Sequence, residues 1–277
     1  MRRGPEISNR AAKAAANAID ATMDIAAPAP PPVHVPDLRR CAILLDIDGS
    51  ILDIAPSPQQ VFVPTGLRHT LSRLAELTGG AVALVSGRSI DDIDLIFSPL
   101  QFAAIGVHGA EMRTSGDAKV RARVAPLSAA LKRKLATIAE LAPGILVEDK
   151  GYSLALHYRL APEAGPAVLS AVGKICADAA GEAVEILPGK SVVDVKPAGI
   201  NKGNAVDDLM QCPPFAGRRP LFIGDDTTDV PAFAIIPKYG GEAFSVGAIV
   251  ADVDGHFDTP EAVRSWLARI AAEGAAE

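Results

Sequence analysis

At 277 residues the chain is long enough for one large domain or two ordinary ones, and 49% hydrophobic with 22% charged residues is the composition of a soluble globular protein. The net charge of −6 makes nucleic acid and anionic membranes poor partners, because both recruit a basic face. The three cysteines, Cys41, Cys176 and Cys212, form no CxxC pair, which argues against a disulfide framework or a zinc site and fits the reducing cytoplasm; no apolar run approaches the roughly 20 residues of a membrane span.

Arg2 and Arg3 open the chain as an export signal would, but Lys13, Asp20 and Asp24 interrupt the alanine-rich stretch that follows, so no apolar signal segment forms. Residues 1–40 read as an appendage: a short helix over 7–24, then a proline-rich, extended linker over 27–36. Regular structure begins at Cys41. The apolar run 41–45 ends in Asp46-Ile47-Asp48-Gly49-Ser50 and reads as a buried parallel strand opening into a loop. A helix is expected over 65–77, then a second buried strand over 81–85 that ends at Ser86-Gly87-Arg88. Ser89, with Asp92 three residues later, predicts a capping box for the next helix. A third strand over 102–107 ends at His108-Gly109. This alternation predicts an α/β fold, a Rossmann-like doubly wound parallel sheet with helices on both faces. Ligands bind such sheets at the carboxyl ends of the strands, where all three strands carry polar residues.

The pattern changes over residues 122–197. Helices at 128–141 and 166–179 are each followed by two strands, at 145–150 and 153–159, then at 184–187 and 191–196. Turns are expected at Lys150-Gly151 and Pro188-Gly189. The αββαββ order predicts an inserted α+β cap domain with a small antiparallel sheet. The core then comprises 41–121 and 198–277. It resumes with a helix at 202–210 and a strand at 220–223 that ends in Gly224-Asp225-Asp226-Thr227-Thr228-Asp229; a strand at 243–246 and a helix at 260–271 close it.

Asp46 and Asp48 stand two residues apart at a buried strand end, with more carboxylates at Asp225 to Asp229. Two like charges 4 Å apart repel by about 4 kcal/mol at an effective dielectric near 20, so a cation is required. Hard oxygen donors suit Mg²⁺. The competing reading is a Ca²⁺ site or an Asx-rich turn, although the rest of an EF-hand loop is missing. With the cation in place, one carboxylate is suited to nucleophilic attack on phosphorus and the other to proton transfer. Ser86 is suited to donate to a phosphoryl oxygen, and Lys202 to neutralise both nucleophile and phosphate.

Asp46-Ile47-Asp48-Gly49-Ser50, Val85-Ser86-Gly87-Arg88, Asn201-Lys202-Gly203 and Gly224 to Asp229 resemble the four ordered motifs of the haloacid dehalogenase superfamily. The usual first motif ends in threonine; Ser50 keeps the hydroxyl. Within that superfamily, His108-Gly109-Ala110-Glu111, the stretch from Glu148 to Arg159, and Phe222 to Asp229 resemble the trehalose-6-phosphate phosphatases over residues 42–267. The resemblance implies Asp46 as nucleophile and Asp48 as general acid/base. It implies Mg²⁺ on Asp46, the backbone carbonyl of Asp48 and Asp225, supported by Asp229 and Asp226; for Asp226 a loop-shaping role stands equally open.

Strand periodicity puts Ser153, Ala155, His157 and Arg159 on one face of the insert, with Leu154, Leu156 and Tyr158 toward its helices, and Glu148 and Lys150 share a face of the neighbouring strand. Taken alone, such a face is a solvated, salt-bridged surface. The resemblance instead makes Glu148, Lys150 and Arg159 sugar ligands, with Lys190 a further contact; His157 stays open between a structural bond and a ligand contact. Gly87 and Arg88 join the substrate side, Arg88 either reaching substrate or bracing its loop through carbonyl bonds. His108 is counted with the substrate-binding residues, at a hinge or pocket rim with Glu111, and Asp53 is expected in a structural flap. His34, His69 and His256 are expected on the surface without partners. The expected reaction is hydrolysis of trehalose 6-phosphate, with a trehalose-phosphate synthase as an associated partner. The alternatives are a phosphatase of another sugar phosphate, of the sucrose-phosphate, glucosylglycerol-phosphate or mannosyl-phosphate type, and a catalytically silent sugar-phosphate sensor.

Overall fold

A computed structural model describes residues 37–55, 60–179 and 181–274. The helix and linker expected before residue 37, and His34, lie outside the described residues. The described residues build two sheets. The larger contains β1 (Cys41–Leu45), β2 (Val82–Val85), β3 (Ala103–Gly106), β4 (Glu111–Arg113), β5 (Arg121–Ala122), then, after the smaller sheet, β10 (Arg219–Gly224), β11 (Glu242–Val246) and β12 (Gly255–Phe257). Their order is β12-β11-β10-β1-β2-β3-β4-β5. Pairs from β12 through β3 are parallel; β3–β4 and β4–β5 are antiparallel.

The parallel strands alternate two buried faces. Ile43, Leu45, Val82, Leu84, Leu221 and Ile223 pack under helices α1 (Leu67–Leu77), α2 (Ile90–Phe97) and α7 (Pro260–Glu273). Ala42, Leu44, Ala83, Val85, Ile105 and Phe222 pack on α5 (Lys202–Leu209) and α6 (Val230–Phe233). Burial on both faces explains why these strands read as continuous apolar runs. Order reverses between β1 and β10, so a crevice opens at their carboxyl ends, where Asp46 and Asp225 stand.

The smaller sheet, in the order β6-β7-β9-β8, is antiparallel throughout: β6 (Leu146–Asp149), β7 (Leu154–His157), β8 (Val184–Gly189) and β9 (Val192–Pro197). Leu154, Leu156, Val193 and Val195 pack against Leu131 and Leu135 of α3 (Ala129–Ala136) and Val168 and Val172 of α4 (Gly165–Ala177) in a cluster of their own. The opposite face is thereby left to Glu148, Ala155 and Asp194, which lie in one row across three strands through the Glu148–Ala155 and Ala155–Asp194 pairings.

Some details depart from the sequence reading. The helix expected over 128–141 is α3 followed by a 3₁₀ segment, Thr137–Leu141. Pro188 and Gly189 lie within β8 rather than in the turn; β8 is an edge strand, where a proline without an N–H is tolerated, and Lys190-Ser191 make the reversal. The antiparallel β4 and β5 and the edge strand β12 are too short to leave a periodic signal. His256 has partners: Ser245 Oγ lies 3.1 Å from its Nδ1 and Asp258 3.5 Å from its Nε2. It neighbours Ser245 because β11 and β12 run parallel in register there.

Candidate active site

Asp46 follows β1, its N–H donating to Ile223 of β10 at 2.9 Å. Its carboxylate is buried and accepts from two sides: Lys202 Nζ at 2.7 Å on Oδ1 and Ser50 Oγ at 2.9 Å on Oδ2. Lys202 enters from the first turn of α5, whose N-cap Asn201 accepts from the Asn204 N–H. Its ammonium also donates to Asp229 Oδ1 at 2.6 Å. Burial opposes the Lys202 charge, but Asp229 and Asp46 outweigh it and hold the ammonium well above the usual lysine range. Burial pushes the Asp46 carboxyl well up; Lys202 pulls it back, and Asp229 and Asp225 add to the rise.

Asp229 lies beneath the cavity, fully buried. Its Oδ2 accepts the N–H groups of both Asp225 and Asp226 at 3.1 Å, which sets the loop after β10. Asp226 accepts the Thr227 N–H at 2.6 Å, so its carboxylate shapes this loop. Oxygens of Asp46, Asp225 and Asp229 all lie within 4.8 Å of one another. Burial and then Asp229 push the Asp225 carboxyl up to about 6, against the pull of Lys190, whose Nζ is 3.8 Å away. Gly49 makes this approach tolerable: a Cβ there would stand 2.1 Å from Asp225 Oδ2, and its φ is +87°. Converging hard oxygen donors with uncompensated charge suit a divalent cation such as Mg²⁺.

Asp48 is gripped by Arg88. Arg88 Nε donates to Asp48 Oδ2 at 2.6 Å and Nη2 to Oδ1 at 2.7 Å. The fork is a partner beyond the two sequence readings of Arg88, substrate contact and carbonyl brace, and Arg88 also lines the cavity that faces the smaller sheet. The two groups meet because their loops follow adjacent strands, β1 and β2, and a guanidinium matches a carboxylate edge to edge. Burial opposes the Arg88 charge and Asp48 more than restores it. The expected capping box at Ser89 is half realised: Ser89 Oγ accepts the Asp92 N–H at 3.1 Å, but the Asp92 carboxylate accepts from the Ser89 hydroxyl.

A cavity of about 510 Å³ separates these groups from the smaller sheet. Asp46, Asp48, Ser86, Gly87, Arg88, His108, Lys202, Asp225 and Asp226 line it from one side, and Glu148, Lys150, His157 and Arg159 from the other. Lys190 stays outside the lining, its ammonium near Asp225. His157 Nε2 lies 2.6 Å from Glu148 Oε2; burial disfavours that carboxylate, and His157 with Lys150 outweighs it and lowers its pKa. Arg159 donates to the carbonyls of Ala55 and Lys190. Glu111 is buried behind the rim, accepting the Ile90 N–H at 2.5 Å. Asp53 faces Arg264 of α7 at 3.3 Å.

Sequence reasoning missed Asp194. It lines the cavity and accepts from Lys150 Nζ at 2.7 Å. Burial works against its charge, but Lys150 and His108 hold the carboxyl well below its usual range. The signal was present: Val193 and Val195 face the helices, so strand alternation turns Asp194 to the face that carries Glu148.

Residues 44–255 match the family model described as Trehalose-phosphatase. The chain belongs to the trehalose-phosphatase family. A probable trehalose-phosphate phosphatase of Sinorhizobium fredii is 40% identical to it over 237 residues, covering 85% of this chain and 89% of the relative. The trehalose-6-phosphate phosphatase of Escherichia coli K12 is 36% identical over 251 residues, covering 87% and 90%. The C-terminal domain of the C. albicans trehalose-6-phosphate phosphatase superposes with a TM-score of 0.75 at 23% identity, over 85% of this chain and 93% of that one, a likeness of fold. The α/β core expected from sequence is thus a family fold. No helix among the described residues is long and apolar enough to cross a membrane.

Proposed function

We propose that this family member hydrolyses trehalose 6-phosphate to trehalose and inorganic phosphate, the last step of trehalose synthesis, with Mg²⁺ as cofactor. The observation that carries the reading is the buried Asp46 carboxylate, gripped by Lys202 and Ser50 at the floor of a cavity roofed by a polar sheet face.

In this mechanism Asp46 attacks phosphorus and the P–O bond to the sugar breaks, while Asp48 gives its proton to the departing sugar oxygen. Water then attacks the aspartyl phosphate and passes a proton to Asp48; the bond from phosphorus to Asp46 breaks and phosphate leaves. Lys202 spreads positive charge over Asp46 and holds Asp229 in place. Ser86, at a strand end, donates to a phosphoryl oxygen. Arg88 orients Asp48. Bound through Asp46, Asp225 and the Asp48 carbonyl, with Asp229 and Asp226 in support, Mg²⁺ would offset the charge that gathers between the carboxylates and the phosphoryl oxygens. Glu148, Lys150, His157 and Arg159 supply donors and acceptors for sugar hydroxyls, Lys190 standing at the mouth.

The reading takes residues 122–197 as a cap that closes on a core of 41–121 and 198–277 and keeps water away from the ester. It also takes a trehalose-phosphate synthase as the source of substrate and as an associated partner, in the cytoplasm, where the free thiols of Cys41, Cys176 and Cys212 fit.

Phosphate release from trehalose 6-phosphate, glucose 6-phosphate, sucrose 6-phosphate and glucosylglycerol phosphate, each with Mg²⁺ and with a chelator, tests this. Trehalose 6-phosphate should be hydrolysed fastest, and only with metal. Equal rates on all four would remove the sugar assignment, and undiminished rates in chelator would remove the metal. Asp46→Asn should release no phosphate.

A further inference from the structure

Lys196 stands near the end of β9, on the face that carries Asp194, yet outside the cavity lining. It is 1% exposed, one of the largest side chains so withdrawn from solvent among the described residues. Its ammonium donates to two groups. One is the carboxylate of Glu185, its partner across β8, which is itself half exposed. The other is the carbonyl of Ile200, which lies beyond the end of the sheet. A buried charge is costly to desolvate, and an apolar side chain of similar volume is often as stable or more so in its place. Stability alone therefore gives no reason for a lysine here. What the ammonium adds is a directional hold on one carbonyl.

That carbonyl lies where the chain crosses from the smaller sheet to the catalytic carboxylates. Gly199 turns the chain at φ +81°, with open space where a Cβ would stand. Ile200 seats its side chain with Val107 and Ala110, against Val124 and Tyr152. Asn201 then caps α5: its side chain accepts the Asn204 N–H at 2.8 Å and its carbonyl the Ala205 N–H at 3.2 Å. Lys202 follows in the first turn, its ammonium 2.7 Å from Asp46 and 2.6 Å from Asp229. Only Asn201 separates the residue that Lys196 holds from the lysine that grips the attacking carboxylate.

We propose that Lys196 is a positioning residue for the reaction: by fixing the Ile200 carbonyl it sets where α5 starts, and so where the Lys202 ammonium meets Asp46. This rests on the phosphatase reading above and adds to it a residue outside the substrate cavity. A small shift of the first turn suffices, since misplacing a reacting group by about 1 Å costs on the order of 100-fold in rate.

Kinetics on trehalose 6-phosphate and p-nitrophenyl phosphate, with amide hydrogen exchange across residues 200–206, test this. Lys196→Met removes the ammonium and keeps the length of the side chain; Lys196→Arg keeps a donor. Gly199→Ala strains the turn that presents the carbonyl without a clash. Lys196→Met should lower kcat about tenfold or more on both substrates alike, because both need Asp46, with less than about a threefold change in either KM. It should also speed exchange in the first turn of α5 about tenfold and leave β1 unchanged. Lys196→Arg should keep kcat within about threefold of the parent. Gly199→Ala should give the same loss in kcat alone, in smaller measure, and it decides by that signature if Lys196→Met does not fold. Parental kcat in Lys196→Met and Gly199→Ala, a change confined to KM, or a loss that Lys196→Arg shares in full overturns the proposal. A parent protein that releases phosphate from neither substrate refutes the phosphatase reading. Hydrogen exchange, which needs no turnover, then decides the positioning: unchanged protection of α5 in both variants overturns it as well, and faster exchange upholds it.

Discussion

Arg88 and Asp48 share two nearly equal hydrogen bonds, at 2.6 and 2.7 Å, across the mouths of adjacent strands. The fork fixes the plane of the carboxylate, which a lysine's single ammonium does not reproduce. Arg88→Lys should lower kcat on trehalose 6-phosphate by about 10- to 100-fold, below the full loss of a general acid. The fall should be much smaller on p-nitrophenyl phosphate, whose leaving group departs without a proton. Equal losses on both substrates would detach Arg88 from proton transfer.

Gly203 follows Lys202 in α5, where a Cβ would stand 2.2 Å from the carbonyl oxygen of Pro231 in α6. Gly203→Ala should push the two helices apart at a cost of about 1–3 kcal/mol and shift Lys202 away from Asp46. Urea unfolding should give an earlier midpoint, and phosphate release should slow. An unchanged midpoint would mean that the helices separate freely.

The Lys150–Asp194 pair sets a window of pH. Asp194 is depressed in the fold, so its contribution is complete above its ordinary 3.8 and is lost as pH falls through the lower folded value. Lys150 is raised, burial being outweighed by Asp194 and Glu148, so its contribution is complete below its ordinary 10.5 and fades above it. Asp194→Asn should destabilise the protein at pH 7 by about 3 kcal/mol, since it leaves a buried ammonium without its closest partner. The difference from the parent should shrink below pH 4. Thermal melting across pH reads both, and a constant difference would show that the pair contributes no linkage.

Arg159 and Lys190 carry the contacts from the smaller sheet to Ala55 and Asp225. Cysteines at Ala55 and Lys190, joined by a short bismaleimide in a background lacking Cys176 and Cys212, should hold the cleft shut and stop steady-state turnover. Undiminished rates in the joined protein would rule out gating by closure.

The main sheet was legible because β1, β2 and β3 are buried on both faces and so appear as apolar runs, each ending at polar residues. Asp46, Ser86, Lys202 and Asp225 were legible for the same reason, each standing where a regular element starts or stops. The Arg88–Asp48 fork was not, because sequence fixes which strand end a residue follows and not which neighbour its side chain meets. Asp194 hid between valines in a short strand, and only the pairing through Ala155 reveals its neighbours. His256 was misread because its partners come from the parallel neighbour β11 and from Asp258, which follows β12.

The smaller sheet keeps its apolar side chains against its own helices, and its bridges to Ala55 and Asp225, through Arg159 and Lys190, are polar, while Tyr152 at the turn between β6 and β7 packs on Val107, Ala110 and Ile200. Parting the two sides therefore wets few buried aliphatic groups. The opening carries a small change in heat capacity, and a turnover limited by it should give a nearly straight Eyring plot over the working temperatures of the protein.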